Sequence, residues 1–231
     1  MSRAPTWVIV PVKALGEAKQ RLSRVLPLAA RQRLMVVMLL DVLAALRQVE
    51  GLGPVLIVTP DAEVADVAQS RGAQVLHEAR GTGHSAAAVA GFAAARAGGA
   101  AQALTLPADA PLVTPMELRA LLSSSPRVRG EETAATTHVA LVPSRDGDGT
   151  NALLVSPPDA FTPRFGPGSF ARHRTQAAAA GIACRTVHLP GLGLDIDEPH
   201  DLYELMRHTH ANPRYTFLEQ YVRGPVEVDQ P

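Results

Sequence analysis

The sequence predicts a three-layer α/β/α fold around a mostly parallel central sheet. Three observations carry that prediction. Short apolar runs without period-two alternation recur through the first 125 residues. Stretches with apolar spacing near 3.6 separate them, and glycine or proline marks most junctions. Strands buried on both faces read as unbroken apolar runs, and the intervening helices cover those faces.

The elements follow in order. Residues 7–12 form a β-rich run that starts at Trp7 and contains Pro11. Residues 28–49 read as a long helix, with Leu34, Val37, Met38, Val42, Ala45 and Leu46 on a helical spacing. Gly51-Leu52-Gly53-Pro54 breaks it. A strand is expected over 55–59. A helix over 62–70 follows, with Asp61 as N-cap and Gly72 as its stop. A strand over 74–77, a Gly81-Thr82-Gly83 turn, an alanine-rich helix over 85–97 and a strand over 103–106 complete the regular half. The second half is less periodic. It offers an exposed polar loop over 127–137, strands over 139–143 and 152–156, a helix over 168–180, short strands over 185–189 and 192–196, and a helix over 199–208.

The chain has 231 residues, 46% of them apolar and 19% charged. That length fits one α/β domain over 1–208 with a C-terminal tail over 209–231. Tyr215, Phe217, Leu218 and Tyr221 give the tail the means to dock in part, on its own domain or on a second copy in a homodimer, and residues 224–231 read as loose. Lys and Arg total 22, as do Asp and Glu. Zero formal charge argues against a nucleic-acid coat and leaves room for a small anionic ligand. No apolar run is long enough for a membrane span or a signal peptide, and Cys184 stands alone. A cytoplasmic setting is the expectation, with Cys184 as a small core residue.

Ligands of open parallel sheets bind beyond the carboxyl ends of the strands. After the first strand come Lys13, Lys19 and Arg21, cations on a loop that can face phosphates, although no Walker motif is present. After the fourth comes Pro107-Ala108-Asp109-Ala110-Pro111, a carboxylate between two prolines. Asp195 and Asp197 alternate around Ile196, so an extended backbone turns both to one face. Like charges so placed favour a cation between them, and with Asp109 they make a candidate set for Mg²⁺. Asp197 could instead cap the helix at Pro199. Gly168-Ser169 opens a helix whose N-terminus suits phosphate or carboxylate, or Ser169 simply caps it. Ser85 reads as a cap in the same way, and His173 reads as a surface or packed histidine. The GxSxG elbow of a hydrolase and a full dinucleotide-binding glycine motif are both missing.

Taken in order, five segments resemble one family. They are Val10-Pro11-Val12-Lys13 with Ala18-Lys19-x-Arg21-Leu22, Pro107-Ala108-Asp109-x-Pro111, Gly149-Thr150-Asn151-Ala152-Leu153-Leu154, Phe165-Gly166-x-Gly168-Ser169-Phe170 with His173, and Leu194-Asp195-Ile196-Asp197-x-Pro199-x-Asp201-Leu202. Over about residues 6 to 207 the chain resembles the guanylyltransferases of coenzyme F420 biosynthesis. The resemblance implies a Rossmann-like nucleotidyltransferase fold. It implies transfer from GTP to phosphoenolpyruvate, 2-phospholactate or 3-phosphoglycerate, with release of pyrophosphate.

By that resemblance Asp109, Asp195 and Asp197 would hold Mg²⁺. Pro11, Val12, Lys13, Lys19, Arg21, Gly83 and Ser85 would meet GTP, with Lys13, Lys19 and Asp109 as the catalytic set. Thr150, Gly166 and Ser169 would hold the phospho-acid, largely through backbone N–H groups and the serine hydroxyl. The family usually has Gly-Leu-Asn where this chain has Gly83-His84-Ser85. His and Ser offer donors and acceptors in a different geometry from Asn. The departure leaves open a molybdenum-cofactor or cytidylyl type of nucleotidyltransferase; the second alternative is a non-catalytic nucleotide-binding module, because fold does not imply function.

Overall fold

A computed structural model describes residues 5–78, 83–124 and 137–222. The expected turn residues Gly81 and Thr82, most of the polar loop after Arg127, and the tail end from Gly224 lie outside the described residues. The described elements are β1 (Thr6–Pro11), α1 (Leu28–Arg47), β2 (Leu52–Thr59), α2 (Ala62–Ser70), β3 (Gln74–His77), α3 (His84–Ala97), β4 (Gln102–Thr105) and α4 (Pro115–Ser123). They continue with β5 (His138–Pro143), β6 (Thr150–Ser156), α5 (Ser169–Ala179), β7 (Ala183–Thr186), α6 (Pro190–Gly193) and α7 (Pro199–Thr209).

The seven strands form one sheet in the order β3-β2-β1-β4-β6-β5-β7. All run parallel except β6, which is antiparallel to both β4 and β5. Alternate side chains divide the core between two faces. Val8 and Val10 point to the side of α1, α2, α4 and α7, where Leu34, Met38, Val64, Leu118 and Leu202 are buried. Ile9 points to the other side, against Phe92 and Ala95 of α3 and Ala177 of α5. Both faces of the sheet are therefore covered, as parallel strands require.

Connections out of β1 place its sequence neighbour β2 on one side and β4 on the other. That reversal opens a crevice at the carboxyl ends of β1 and β4. Because β6 runs backwards, its first residue, Thr150, lies at this same edge, as does the end of β5. Four chain segments thus converge on one rim.

Four details differ from the sequence reading. β2 starts at Leu52, within the Gly-Pro segment expected to be a break, and a register shift against β1 absorbs the irregularity. Residues 192–196 are no strand: α6 occupies Pro190–Gly193, and residues 194–198 form an irregular segment. Gly191 makes that turn, since a Cβ there would lie 2.2 Å from the Leu112 carbonyl oxygen. The strand expected over 185–189 is instead β7, at the sheet edge, and Cys184 within it is exposed rather than buried in the core. The helix α4 joins the list of elements; its capping box, Thr114 with Glu117, is visible in the sequence.

After α7 the chain packs back on α1. The Tyr215 hydroxyl donates to Asp41 Oδ2 at 2.7 Å, and Arg214 pairs with the same carboxylate. Arg33 stacks over Phe217, and Leu218 is fully buried.

Candidate active site

The converging segments enclose a cleft of about 760 Å³. Pro11, Val12, Lys13, Lys19, Arg21, Asp109, Thr150, Gly166, Ser169, Asp195 and Asp197 all line it. Gly83 and Ser85 stand outside the lining, while His84 between them is part of it.

One wall is charged. The loop after β1 is pinned by its own apolar residues, Leu15, Ala18 and Leu22, all buried. Leu15 N donates to Asp61 Oδ2 at 2.8 Å, and the Arg31 guanidinium donates to the Ala18 carbonyl at 2.7 Å. Among the described residues Lys19 is the one non-glycine residue with positive φ, at 49°. A left-handed lysine costs roughly 1–2 kcal/mol. What the twist accomplishes is placement. The Lys19 ammonium is buried between two carboxylates, donating to Asp197 Oδ1 at 2.7 Å and to Asp109 Oδ2. Lys13 remains exposed at the rim.

The three aspartates arrive from two directions. Asp109 follows β4, flanked by the buried Ala108 and Ala110. Its carbonyl accepts from Ile196 N at 3.0 Å, which ties the segment after α6 to the end of β4. Ile196 is fully buried, so Asp195 and Asp197 on either side of it both turn to the cleft. Alternation survives here without a strand. Asp197 does not cap α7. Glu198 occupies that position, and Asp201 accepts from the backbone N–H of Asp197 and Glu198 at 3.1 and 2.8 Å.

These carboxylates feel one another. Burial pushes the Asp195 carboxyl up, and the charges of Asp109 and Asp197 push it further, against a 3.1 Å hydrogen bond from Asn151 Nδ2. For Asp197, burial acts upward, but Lys19, Arg21 and Lys13 outweigh it and the group sits below its ordinary value. For Lys19, burial acts downward, and Asp109 and Asp197 more than reverse it. The Lys19 ammonium thus pairs with Asp109 and Asp197, and Asp195 is left with burial and its two acidic neighbours acting on it.

The wall around Thr150 and Ser169 is built from uncharged groups, with the Asp148 carboxylate alongside. Gly166 and Gly168 hold φ of 110° and 67°, values that admit glycine and little else. Gly168 N donates to Asp148 Oδ2 at 2.8 Å and is the N-cap of α5, so Ser169 is not a cap. The Ser169 hydroxyl instead accepts from Thr150 N at 2.9 Å. Ser169 N donates to the Gly166 carbonyl at 3.0 Å. The backbone N–H groups of Thr150 and Ser169 are therefore engaged within the protein. At those two residues the hydroxyls are what can still turn to a ligand, beside the Gly166 backbone of the loop. Behind them His173 is fully buried, with Nδ1 3.0 Å from Thr150 Oγ1. Ser85 is no cap either, since Gly83 holds that position at the start of α3. Its hydroxyl accepts from Phe165 N at 2.8 Å and so steadies the glycine loop from behind. Phe165 is wedged edge-on between the rings of His84 and His173.

Sequence reasoning gave no role to Arg145 and His200. Both line the mouth of the cleft, with Arg145 Nη2 2.9 Å from Asp201 Oδ1 and 2.6 Å from His200 Nε2. Arg145 lies in the Asp-Gly turn before Thr150, and no local pattern joins it to a residue 56 positions away.

Comparison with known proteins fits this geometry. A family model described as "Guanylyl transferase CofC like" matches residues 6–229. The chain belongs to this family. Among its relatives, a phosphoenolpyruvate guanylyltransferase of Conexibacter woesei is 39% identical over 85% of this chain and 85% of its own. One of the same name from Sphaerobacter thermophilus is 40% identical over 88% of this chain and 93% of its own. A 3-phospho-D-glycerate guanylyltransferase of Phenylobacterium zucineum is 39% identical over 86% of this chain and 88% of its own. In solved structures the fold recurs at low identity. A nucleotide-diphospho-sugar transferase, so described, from Desulfovibrio desulfuricans has TM-score 0.70 at 15% identity, covering 91% of this chain and 90% of that one. A nucleotidyl transferase from Methanothermobacter has TM-score 0.63 at 17% identity, covering 90% of this chain and 98% of that one. The guanylyl transferase family and the nucleotidyltransferase fold agree with the reading from the five segments. No helix among the described residues is long and apolar enough to cross a membrane.

Proposed function

We propose that this guanylyl transferase joins GTP to a small phosphorylated three-carbon acid and releases pyrophosphate, as a step of coenzyme F420 biosynthesis. The observation that carries the reading is the pairing of walls in one cleft. Lys13, Lys19, Arg21 and three aspartates line it together with Thr150 at the start of β6, Ser169 at the start of α5 and Gly166 of the glycine loop.

In the proposed reaction a phosphate oxygen of the acid attacks the α-phosphorus of GTP. The new bond joins that oxygen to the α-phosphorus. The bond from the α-phosphorus to the bridging oxygen breaks, and pyrophosphate leaves with the electron pair. The attacking oxygen is already ionised at neutral pH, so no base need remove a proton. The main task is to hold two anions together in line. In this reading Lys13 and Arg21 at the rim would meet the triphosphate, and the hydroxyl wall would take the acid. Lys19 holds Asp109 and Asp197 in register and supplies positive charge at the base of the cleft.

The carboxylates suit Mg²⁺ in chemistry. Their oxygens are hard donors, and Asp195, raised first by burial and then by the charges of Asp109 and Asp197, is a carboxylate whose ionised form a divalent cation would favour. Among the described residues no three acidic, histidine or cysteine side chains already form a cage. That is consistent with an ion bound by one or two carboxylates together with substrate phosphates. Asp109, Asp195 and Asp197 are the carboxylates from which that one or two would come. Bound there, the ion would offset the charge of the phosphates.

Phosphorus NMR of the reaction mixture tests the reading. A new diphosphate linkage between the acid and GMP is the expected product. GTP left intact beside phosphoenolpyruvate, 2-phospholactate and 3-phosphoglycerate alike, with folded protein, would refute it.

A further inference from the structure

His173 is buried, polar and 3.0 Å from a residue of the hydroxyl wall, yet the proposed reaction gives it no task. Its hydrogen bonds have a fixed direction. Nε2 lies 2.8 Å from the backbone N of Arg164. A backbone N–H can only donate, so Nε2 must be the bare, accepting nitrogen. In a neutral ring the proton then sits on Nδ1. Nδ1–H points at Thr150 Oγ1, and the threonine oxygen is the acceptor. Burial pushes His173 down to about 4, with Arg172 adding in the same direction, so the ring is neutral at ordinary pH. Phe161 and Phe165 pack edge-on against it, at centroid distances of 5.7 and 5.3 Å, and hold its plane.

A threonine hydroxyl has one proton to give. With His173 donating to its oxygen, that proton must go elsewhere, and Thr150 lines the cleft. Ser169 stands in the same position, because its oxygen accepts from Thr150 N. Both hydroxyls therefore face a ligand as donors.

We propose that His173 is a positioning residue, which through Arg164 N–H and its own Nδ1–H fixes the Thr150 hydroxyl as a donor to an ionised phosphate or carboxylate oxygen of the acid substrate. The wall then favours an ionised oxygen that can take the threonine proton, since one lone pair of Thr150 Oγ1 is already occupied by His173. This rests on the functional reading above for the identity of the acid, but the direction of the hydrogen bonds is independent of it.

The experiment has two arms. In the first, nitrogen-15 NMR of the wild-type histidines reads the tautomer, followed by titration with inorganic phosphate. The expected result is a His173 ring protonated at Nδ1 and bare at Nε2, and a phosphate affinity roughly tenfold weaker in His173→Phe. In the second, steady-state kinetics compares His173→Phe, Thr150→Val and the double variant. Each single change should raise KM for phosphoenolpyruvate roughly tenfold and move KM for GTP less than about twofold. In the Thr150→Val background, His173→Phe should add less than about twofold, because it acts through that hydroxyl. A ring protonated at Nε2 would overturn the proposal, as would losses that multiply in the double variant. Wild-type protein with no turnover on any acid would sink the functional reading, and the tautomer and phosphate titration would still judge His173.

Discussion

The wall with Lys13, Lys19 and the aspartates is held by ion pairs, whereas the wall with Thr150, Ser169 and His173 is held by hydrogen bonds of fixed direction between neutral groups. Both face the same cleft. The charged wall gathers residues from sites up to 178 positions apart, as in the Lys19–Asp197 pair. It even accepts a left-handed lysine to do so. The neutral wall is more local: Thr150 and His173 are 23 positions apart, and glycine turns set its shape. The contrast teaches that the two tasks need different physics. Charge that develops in a transition state is best met by fixed opposite charge. Choosing among small acids of similar charge is better done by oriented dipoles that reward one hydrogen-bonding pattern.

The largest expected effect breaks the charged wall. Asp109→Asn should lower kcat by about a hundredfold or more, the equivalent of about 3 kcal/mol of barrier. The circular dichroism spectrum should be unchanged. Wild-type turnover in that variant would remove Asp109 from the chemistry.

The next effect sharpens the neutral wall. His173 sits near 4 in the folded chain against about 6.5 when unfolded. Between those values the unfolded chain binds more protons, so stability from this group is complete above about pH 6.5 and falls as pH drops toward 4. The loss should reach ~3 kcal/mol. Denaturant unfolding at several pH values measures it, as the difference in slope between wild type and His173→Phe. Equal slopes would mean that His173 is not held neutral.

Gly166→Ala tests the loop. A Cβ there meets nothing within 4 Å, so the cost is purely the φ of 110°. About 1–2 kcal/mol of stability should be lost, seen as a lower melting temperature. A higher KM for the acid should accompany it. Ser85→Ala comes after. It removes the acceptor for Phe165 N and should cost about 1 kcal/mol, with KM for the acid raised more than KM for GTP. The reverse order would return Ser85 to the nucleotide. Smallest is Cys184→Ser, expected within about 0.5 kcal/mol of wild type because the residue is exposed.

Legibility in the sequence followed how local each signal was. The alternation of apolar strands and periodic helices set out the parallel half, because each element carries its own pattern. Lys19, Asp109, Asp195 and Asp197 could be picked out because each follows a strand or flanks a buried apolar residue. Their actual partnership could not, since an ammonium seated between carboxylates from β4 and the segment after α6 is a tertiary fact. Residues 192–196 carry a strand-like pattern, since Leu-Gly-Leu-Asp-Ile is apolar enough for one, yet they fold as the end of α6 and an irregular segment. Glu117, which accepts from Gly191 N at 2.7 Å, helps hold the turn there, and it lies 74 positions away. Ser85 and Ser169 looked like helix caps by position, yet glycines cap both helices and the serine oxygens serve the loop and Thr150. Arg145 and His200 carried no signal at all.

The most direct measurement is pyrophosphate release with Mg²⁺ and GTP, adding each three-carbon phospho-acid in turn and repeating with CTP and ATP. The account predicts release that requires both GTP and one of the acids. Release with CTP or ATP in place of GTP, or none from folded protein with any pair, would contradict it.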